Sequence, residues 1–579
     1  MTSAELSPPP QQSFLVADCG STNTTVALFD IADGSYRLVA RANARTTIAA
    51  PWSDIVTGIQ HAITELTEMT GRTFLSSTGT LLRPSRPDGT GVDHFAATIS
   101  AAPALETVIV GLFNEVSLAS ARRALGPVYA HEVDCFSQAD ARSEELLVAT
   151  LIQQQPDLVF LVGGTDGGAE ERIIRLAETV SVGVDALIAY KRPQVLFAGN
   201  IKLRERVREL FSNGANLQVA GNVRPRLDVE NLDETSQIAR ELYEDIKMNA
   251  LPGIQEVHEW SSYPLRPTAD AYAAVVEYLA TARKGRVLGV DLGSNSTTLA
   301  AATPGTANLV VHADLGMGRP ALNLLNRRCF SEITTWMPTE ISDDELRNFL
   351  LDKSLTPETI PTTETELSLE LAVARKVLGC AMVEAMSQWN WAHGSAATNL
   401  DLLVARGSAL VNTPRPSQAL LTLLDALQPT GIFAAALDRQ GVLPALGILA
   451  RHEPLVVVQA LDSGVLTDLG WVIAPVGKGQ PGQKVIQISM ETERNERLKV
   501  EVEYGSIEVL PLPPGQSAKL DIKPARRFDI GFGPGQGKKL TVHGGLVGLV
   551  IDARGRPIEL PRDDHARRSL LRQWQWDMG

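Results

Sequence analysis

Apolar and polar positions follow two rhythms along the chain. From residue 13 onward, short apolar runs suited to buried strands alternate with stretches whose apolar positions recur every three or four residues, as on one face of a helix. Residues 105–112, 157–162 and 194–198 are predicted strands. Ile55, Ile59, Ala62, Ile63 and Leu66 share a helical face behind the candidate caps Ser53 and Asp54. A helix is predicted to end near Gly126, and another, carrying Tyr272, Val275, Val276 and Leu279, leads into the second half of the chain. This βαβ rhythm predicts a sheet covered by helices. The second half adds a long predicted helix over 369–391 and a strand at 402–405. Beyond about residue 480 the period drops to two, in 499–504, 519–523 and 539–543, with Pro and Gly between. That pattern predicts half-exposed strands in a separate small β domain with a short amphipathic tail. Trp574 and Trp576 in the tail either anchor a partner or pack on their own domain.

One pattern occurs twice. Phe14-Leu-Val-Ala-Asp-Cys-Gly-Ser-Thr-Asn-Thr-Thr is answered by Val287-Leu-Gly-Val-Asp-Leu-Gly-Ser-Asn-Ser-Thr-Thr. Asp18 matches Asp291, Gly20 matches Gly293, Ser21 matches Ser294, Thr24 matches Thr297 and Thr25 matches Thr298, each pair 273 residues apart. Each copy is an apolar run, a polar turn and a second apolar run, the signature of a β-hairpin. A hairpin opening each half predicts two pseudo-symmetric α/β domains, 13–284 and 285–479, facing one cleft. A β-rich domain, 480–579, follows them, and a disordered lead-in, 1–12, precedes them.

Composition narrows the function. The 579 residues carry a net charge of −14, a poor match for nucleic acid, whose binding needs surplus Lys and Arg. An apolar content of 44% is that of a globular protein. The four cysteines are spaced too widely for a zinc knuckle and are expected to be reduced, buried thiols of a cytoplasmic protein. The nearest approach to a membrane span, 431–450, is interrupted by Asp438, Arg439 and Gln440. Scattered histidines, with no metal-ligand spacing, read as structural or surface residues.

The duplicated turns hold the candidate chemistry. Glycine lets backbone amides approach a phosphate closely, hydroxyls add donors, and a carboxylate ending the first strand can hold Mg²⁺ through water. Asp18, Gly20, Ser21, Thr22, Asn23 and Thr24 supply these groups in the first copy, and Asp291, Gly293, Ser294, Asn295, Ser296 and Thr297 in the second. Either turn alone reads equally well as an ordinary hairpin turn; the duplication favours a nucleotide phosphate clamped from both sides. Gly163, Gly164, Thr165 and Asp166, in the run Gly-Gly-Thr-Asp-Gly-Gly, follow a predicted strand and precede a helix. They form either an anion loop or a tight strand–helix turn in which Asp166 is a local acceptor.

At these residues the chain resembles the glutamate-mutase-associated MutL family of actin-like ATPases, unrelated to the mismatch-repair protein of that name. The resemblance rests on Asp18-Cys-Gly-Ser-Thr-Asn-Thr, Val108-Ile-Val-Gly-Leu112 with Ala121-Arg-Arg-Ala124, Phe160-Leu-Val-Gly-Gly-Thr-Asp-Gly-Gly168, Phe197-Ala-Gly-Asn200 and Asp291-Leu-Gly, and covers roughly residues 13–450. It implies the actin/Hsp70/sugar-kinase-like two-domain fold, with ATP and Mg²⁺ held between the hairpins. It also implies an accessory, chaperone-like or reactivating role beside an adenosylcobalamin-dependent mutase. Two departures stand out. Relatives carry Ser-Ser-Ala-Ala-Gly-Gly where this chain has Ile99-Ser-Ala-Ala-Pro-Ala104, behind an apparent insertion at 83–91. In the expected adenosine loop, Arg406 precedes Gly407 in place of a first glycine. Arg406 therefore either stacks on the adenine or weakens nucleotide binding. A small-molecule kinase on the same fold and a scaffold without nucleotide are the alternatives. ATPase activity would place Asp18 and Asp291 in the catalytic and metal-holding roles.

Overall fold

The computed structural model describes residues 12–138, 142–212, 216–326, 329–389 and 399–579. The lead-in up to residue 11 and the expected helix end at 390–391 lie outside the described residues.

Phe14–Cys19 is buried along its whole length. Alternation sends its side chains into two different cores: Leu15, Ala17 and Cys19 to one, Phe14 and Val16 to the other. It pairs antiparallel with Asn23–Ala32, which pairs antiparallel with Ser35–Arg45. On its other side lie His94–Ile99 and then Arg266–Pro267, both parallel. The second half repeats the plan. Val287–Leu292 pairs antiparallel with Thr297–Thr303, and that strand with Thr306–His312, while Leu402–Arg406 and Gly431–Leu437 follow in parallel on the other side. Register repeats too: Asp18 faces Thr25 as Asp291 faces Thr298. This duplicated five-stranded unit is the actin-like α/β architecture expected from the sequence.

Helices cover both faces. Ile55–Thr70 buries the predicted face, with Asp54 capping it by accepting from the Val56 amide. Thr268–Arg283 and Leu443–Ala450 pack between the two hairpin sheets, in a core drawing on both halves. They cross at Gly447, where a Cβ would fall within 2 Å of the Ala271 carbonyl, so only glycine allows the approach. The long helix runs Glu364–Gln388, beginning earlier than its apolar face suggests because Thr363 and Glu366 form a capping box.

The strands predicted at 105–112, 157–162 and 194–198 do not extend the hairpin sheet. They build a separate parallel sheet in the order Ala130–Ser137, Leu105–Gly111, Leu158–Leu161, Gln194–Phe197, Asn216–Val219, one face of which has its own core. The chain turns opposite ways after Leu105–Gly111 and after Leu158–Leu161, making a topological switch point there.

After residue 480, Arg497–Glu503, Lys484–Thr492, Ser517–Pro524 and Lys538–His543 form a four-stranded antiparallel sheet. The segment is not self-contained, because Ile507–Leu510 and Gly548–Asp552 complete the sheet of the second half beyond Thr467–Ala474. Asp425 and Asp552, with Arg375, Arg554 and Arg556, tie the segment down through a buried ionic network. In the final helix, Asp564–Asp577, Trp574 is buried and donates to the Gly505 carbonyl at 3.0 Å, whereas Trp576 is exposed. The first ring packs on its own domain.

The cysteines are all free; Cys19 and Cys329 are buried, but Cys135 and Cys380 are only half-buried. Among the described residues no helix is long and apolar enough to cross a membrane. The stretch 431–450 divides into a strand, Gly431–Leu437, and a helix, Leu443–Ala450.

Candidate functional site

The two hairpin turns close in the same way. Gly20 donates to the Asn23 carbonyl and Gly293 to the Ser296 carbonyl, each at 3.0 Å. A Cβ on either glycine would stand 2.8 Å from that same carbonyl oxygen, closer than side-chain carbons come to backbone, so both turns require glycine. The tips meet. Ser294 Oγ lies 2.8 Å from Ser21 Oγ and 2.7 Å from Thr22 Oγ1. The amides of Ser21, Thr22, Ser294 and Asn295 donate to no acceptor among the described residues, which leaves both tips with donors for an anion.

Behind the tips sit the paired carboxylates. Asp18 Oδ1 accepts from the hydroxyls of Thr98 and Thr268, both at 2.9 Å, and Asp18 Oδ2 accepts from Arg406 Nη2 at 2.9 Å. The same guanidinium places its Nε 3.4 Å from Asp291 Oδ1. Arg406 thus bridges the two equivalent aspartates. Burial pushes the Asp291 carboxyl up, with Asp18 and Asp438 adding to the shift, while Arg406 pulls it down. Burial disfavours the Arg406 charge, yet Asp291, Asp18 and Asp438 together hold it well above its usual range. Arg406 Nη1 is buried and has no hydrogen-bond partner. Gly407, at φ +120°, lets the chain turn against the end of the second hairpin: a Cβ there would meet the Leu292 carbonyl at 2.2 Å.

One family fits this arrangement and the motifs that build it. The sequence pattern of the MutL protein family matches residues 14–464, most of the chain. The chain belongs to the MutL protein family. Its sequence is 25% identical over 495 residues to Protein MutL of Clostridium tetanomorphum, spanning 76% of this chain and 96% of that one. Among solved structures, it is similar to a diol dehydratase-reactivating factor in nucleotide-free form, at 11% identity and a TM-score of 0.31, over 78% of this chain and all of the other. It is also similar to acetone carboxylase in nucleotide-free form, at 12% identity and a TM-score of 0.31, over 86% of this chain and 81% of that one.

Not every residue expected at the site of this MutL family member contributes in the expected way. Thr24 is fully buried and bonds Thr46 Oγ1 at 2.9 Å; Thr46 in turn donates to the Gly20 carbonyl at 2.7 Å, so Thr24 buttresses the turn. Thr297 is equally buried, but its hydroxyl has no partner. Asn23 and Asn295 are exposed, and Ser296 is half-buried. Gly163, Gly164, Thr165 and Asp166 belong to the separate parallel sheet. Asp166 accepts from Asn222 Nδ2 at 2.8 Å and from the Ile201 amide at 3.2 Å, and its own amide donates to Pro225. Asn200 ties Gly167 and Gly168, and Asn222 also donates to the Gly164 carbonyl. Gly163, Gly164 and Gly167 all have positive φ. This loop is a strand–helix turn held by two asparagines, with Asp166 a local acceptor.

The metal expectation also changes. Asp18 already receives three donors and Asp291 faces Arg406, so a divalent ion between them has no carboxylate free of a cationic partner. Arg406 directs the Nε/Nη2 edge of its planar head at the two carboxylates.

Three participants escaped the sequence reading. Asp438 is buried near Arg406 and caps Leu443–Ala450 by accepting from the amides of Val442 and Leu443 at 3.0 and 2.8 Å. A lone Asp ending an apolar strand ahead of Pro444 was its available signal. Thr98 and Thr268 carry no local signal. Thr268 opens a helix whose Tyr272, one turn on, donates to the Val290 and Val404 carbonyls at 3.1 and 3.2 Å, on the strands that carry Asp291 and Arg406. A single helix therefore touches both halves of the site.

Proposed function

We propose that this chain is an ATP-binding accessory protein whose two hairpins grip the phosphates and whose change of state is read by a partner enzyme. The observation that carries the proposal is the meeting of the two equivalent tips at 2.7–2.8 Å, with glycine-enforced turns and uncommitted amides on both sides. Such donors suit an anion that carries charge on several oxygens and can touch both tips at once. Arg406 Nη1, buried and unpaired, is a further donor that a phosphate oxygen would satisfy. Membership of the MutL family supports the accessory role, and the resemblance to glutamate-mutase-associated members points to an adenosylcobalamin-dependent mutase as the partner. In this reading the backbone amides and hydroxyls bind and orient the triphosphate, and domain movement about the Thr268–Arg283 helix transmits its presence.

Calorimetric titration of ATP into the wild type, Gly20→Val and Gly293→Val tests the assignment. The wild type binds, and each variant loses about tenfold or more in affinity, equivalent to about 1.4 kcal/mol. Equal affinity in all three overturns it. Co-purification with the mutase, with and without ATP, tests the partner. One observation favours a second reading, a scaffold that binds no nucleotide: the direct Ser21–Ser294 contact and the Arg406 bridge join the two halves unaided. No heat at millimolar ATP decides for the scaffold.

A further inference from the structure

Asp18 and Asp291 are related by the internal duplication and end the first strands of their respective hairpins. Two carboxylates, one buried and one half-buried, brought to the same guanidinium repel one another unless a cation lies between them. Hard oxygen donors of this kind would suit a divalent ion, yet this chain supplies the counter-charge itself. Arg406, ending the Leu402–Arg406 strand, sends Nη2 to Asp18 Oδ2 at 2.9 Å and Nε to within 3.4 Å of Asp291 Oδ1. We propose that Arg406 is a resident counter-cation that excludes divalent metal from the Asp18–Asp291 pair, so that the crevice takes up nucleoside triphosphate without a metal ion at that position.

Three features support this role. Arg406 reaches both equivalent aspartates with one side edge of its guanidinium, which lysine, a single charged point, cannot do in the same way. The surroundings fix the partners: Thr98 and Thr268 hold Asp18 from behind, and Tyr272 pins the strands that carry Asp291 and Arg406 to the shared helix. Asp438, the third carboxylate near Arg406, is engaged by the amides of Val442 and Leu443, so it stabilises the guanidinium without competing for its N–H groups. Removing one partner of a buried charge pair leaves the other uncompensated. Without Arg406, the two aspartates become an oxygen-rich pair in need of a cation.

The metal half of the proposal stands apart from the nucleotide reading; the nucleotide half rests on it. The test titrates Mn²⁺ alone, followed by electron paramagnetic resonance, into the full-length wild type, Arg406→Ala and Asp18→Asn/Arg406→Ala, and separately titrates ATP into the wild type with excess Mg²⁺ or with chelator. The expected result is no saturable Mn²⁺ site in the wild type, a new site in Arg406→Ala that the double variant loses, and ATP affinity that differs by less than about threefold between the two conditions. A saturable wild-type Mn²⁺ site that Asp18→Asn abolishes overturns the proposal. A folded Arg406→Ala without a metal site overturns it as well. Should Arg406→Ala fail to fold, the wild-type titrations still decide. ATP binding only with Mg²⁺ overturns the metal-free uptake while leaving the nucleotide reading standing. ATP binding under neither condition removes the nucleotide reading, and the Mn²⁺ titrations then judge Arg406 by themselves.

Discussion

Ser21 Oγ and Ser294 Oγ lie 2.8 Å apart, and these two residues occupy the same place in the two copies of the duplicated hairpin. When equivalent positions of a repeat touch each other, the pseudo-two-fold axis relating the copies runs between them. A ligand on that axis meets matching donors from both halves, and each half senses the ligand through the same turn. In the proposed reading this contact couples binding to the relative position of the two domains without requiring a special transmitting residue.

Ser294 is the more committed of the two, since its hydroxyl contacts both Ser21 and Thr22. Ser294→Ala removes both contacts at a half-buried position, so its stability cost is small, about 1 kcal/mol or less. Its effect on ATP affinity is larger than that of Ser21→Ala, which leaves the Thr22–Ser294 contact in place. Calorimetric titration of the two variants, read beside their melting temperatures, checks this ordering; equal affinities contradict it.

The duplicated threonines behind the turns are equivalent in sequence and unequal in structure. Thr24 bonds Thr46 at 2.9 Å, whereas the Thr297 hydroxyl is buried with no partner. Thr24→Val therefore removes a buried hydrogen bond but leaves Thr46 its bond to the Gly20 carbonyl, and destabilises by about 1 kcal/mol, while Thr297→Val removes an unsatisfied hydroxyl and is neutral or stabilising. Denaturant unfolding of the two variants gives the comparison, and a larger loss in Thr297→Val contradicts it.

These residues also show where sequence was sufficient. The hairpins were legible because their motif occurs twice at one spacing, and repetition fixes both the turn and its pairing. Asp438, Thr98 and Thr268 were not, because each is a single polar residue brought to Asp18 or Arg406 by strand order alone. Short apolar runs such as Leu158–Leu161 announce a buried strand but not which sheet it joins, so no local pattern separates the parallel sheet from the first hairpin's sheet. Gly548–Asp552 is likewise fully buried, and its place in the second-half sheet follows from a contact with Thr467–Ala474 that no local pattern encodes. The role of Arg406 was hidden for a similar reason. Its position beside Gly407 suggested the ligand's base, and only the parallel pairing of its strand with Val287–Leu292 brings the guanidinium to Asp291.

Asp166 is a local acceptor in the parallel-sheet loop. It holds its own loop through Asn222 and Ile201, but it is exposed and water can replace it, so Asp166→Ala destabilises by about 1 kcal/mol or less. ATP affinity stays at the wild-type value. Thermal unfolding together with calorimetric titration measures both effects, and a tenfold loss of ATP affinity in a folded Asp166→Ala returns this loop to the nucleotide site.

Asp552 governs how acid loosens the C-terminal segment. It is fully buried and accepts from Arg554 Nε and Nη2, both at 2.9 Å, and from Arg556 Nη2 at 2.7 Å, while Arg554 Nη1 reaches Asp425 at 2.6 Å. Burial alone would push its carboxyl up; the two guanidiniums outweigh that and hold it well below the usual carboxylate range. A carboxyl whose folded pKa lies below its unfolded value of about 3.9 contributes stability that is fully present above that value and is lost as pH falls toward the folded pKa. Asp552→Asn removes the charge while keeping the shape and leaves Arg554 and Arg556 short of a buried counter-ion, a cost of about 3–5 kcal/mol near neutral pH. The wild type therefore melts well above the variant at pH 7. The gap narrows as pH is lowered below about 4, where the wild type gives up its advantage and the asparagine, which does not titrate, has none to lose. Scanning calorimetry of both proteins across that range gives the answer, and a gap that stays constant or widens on acidification removes Asp552 as the cause.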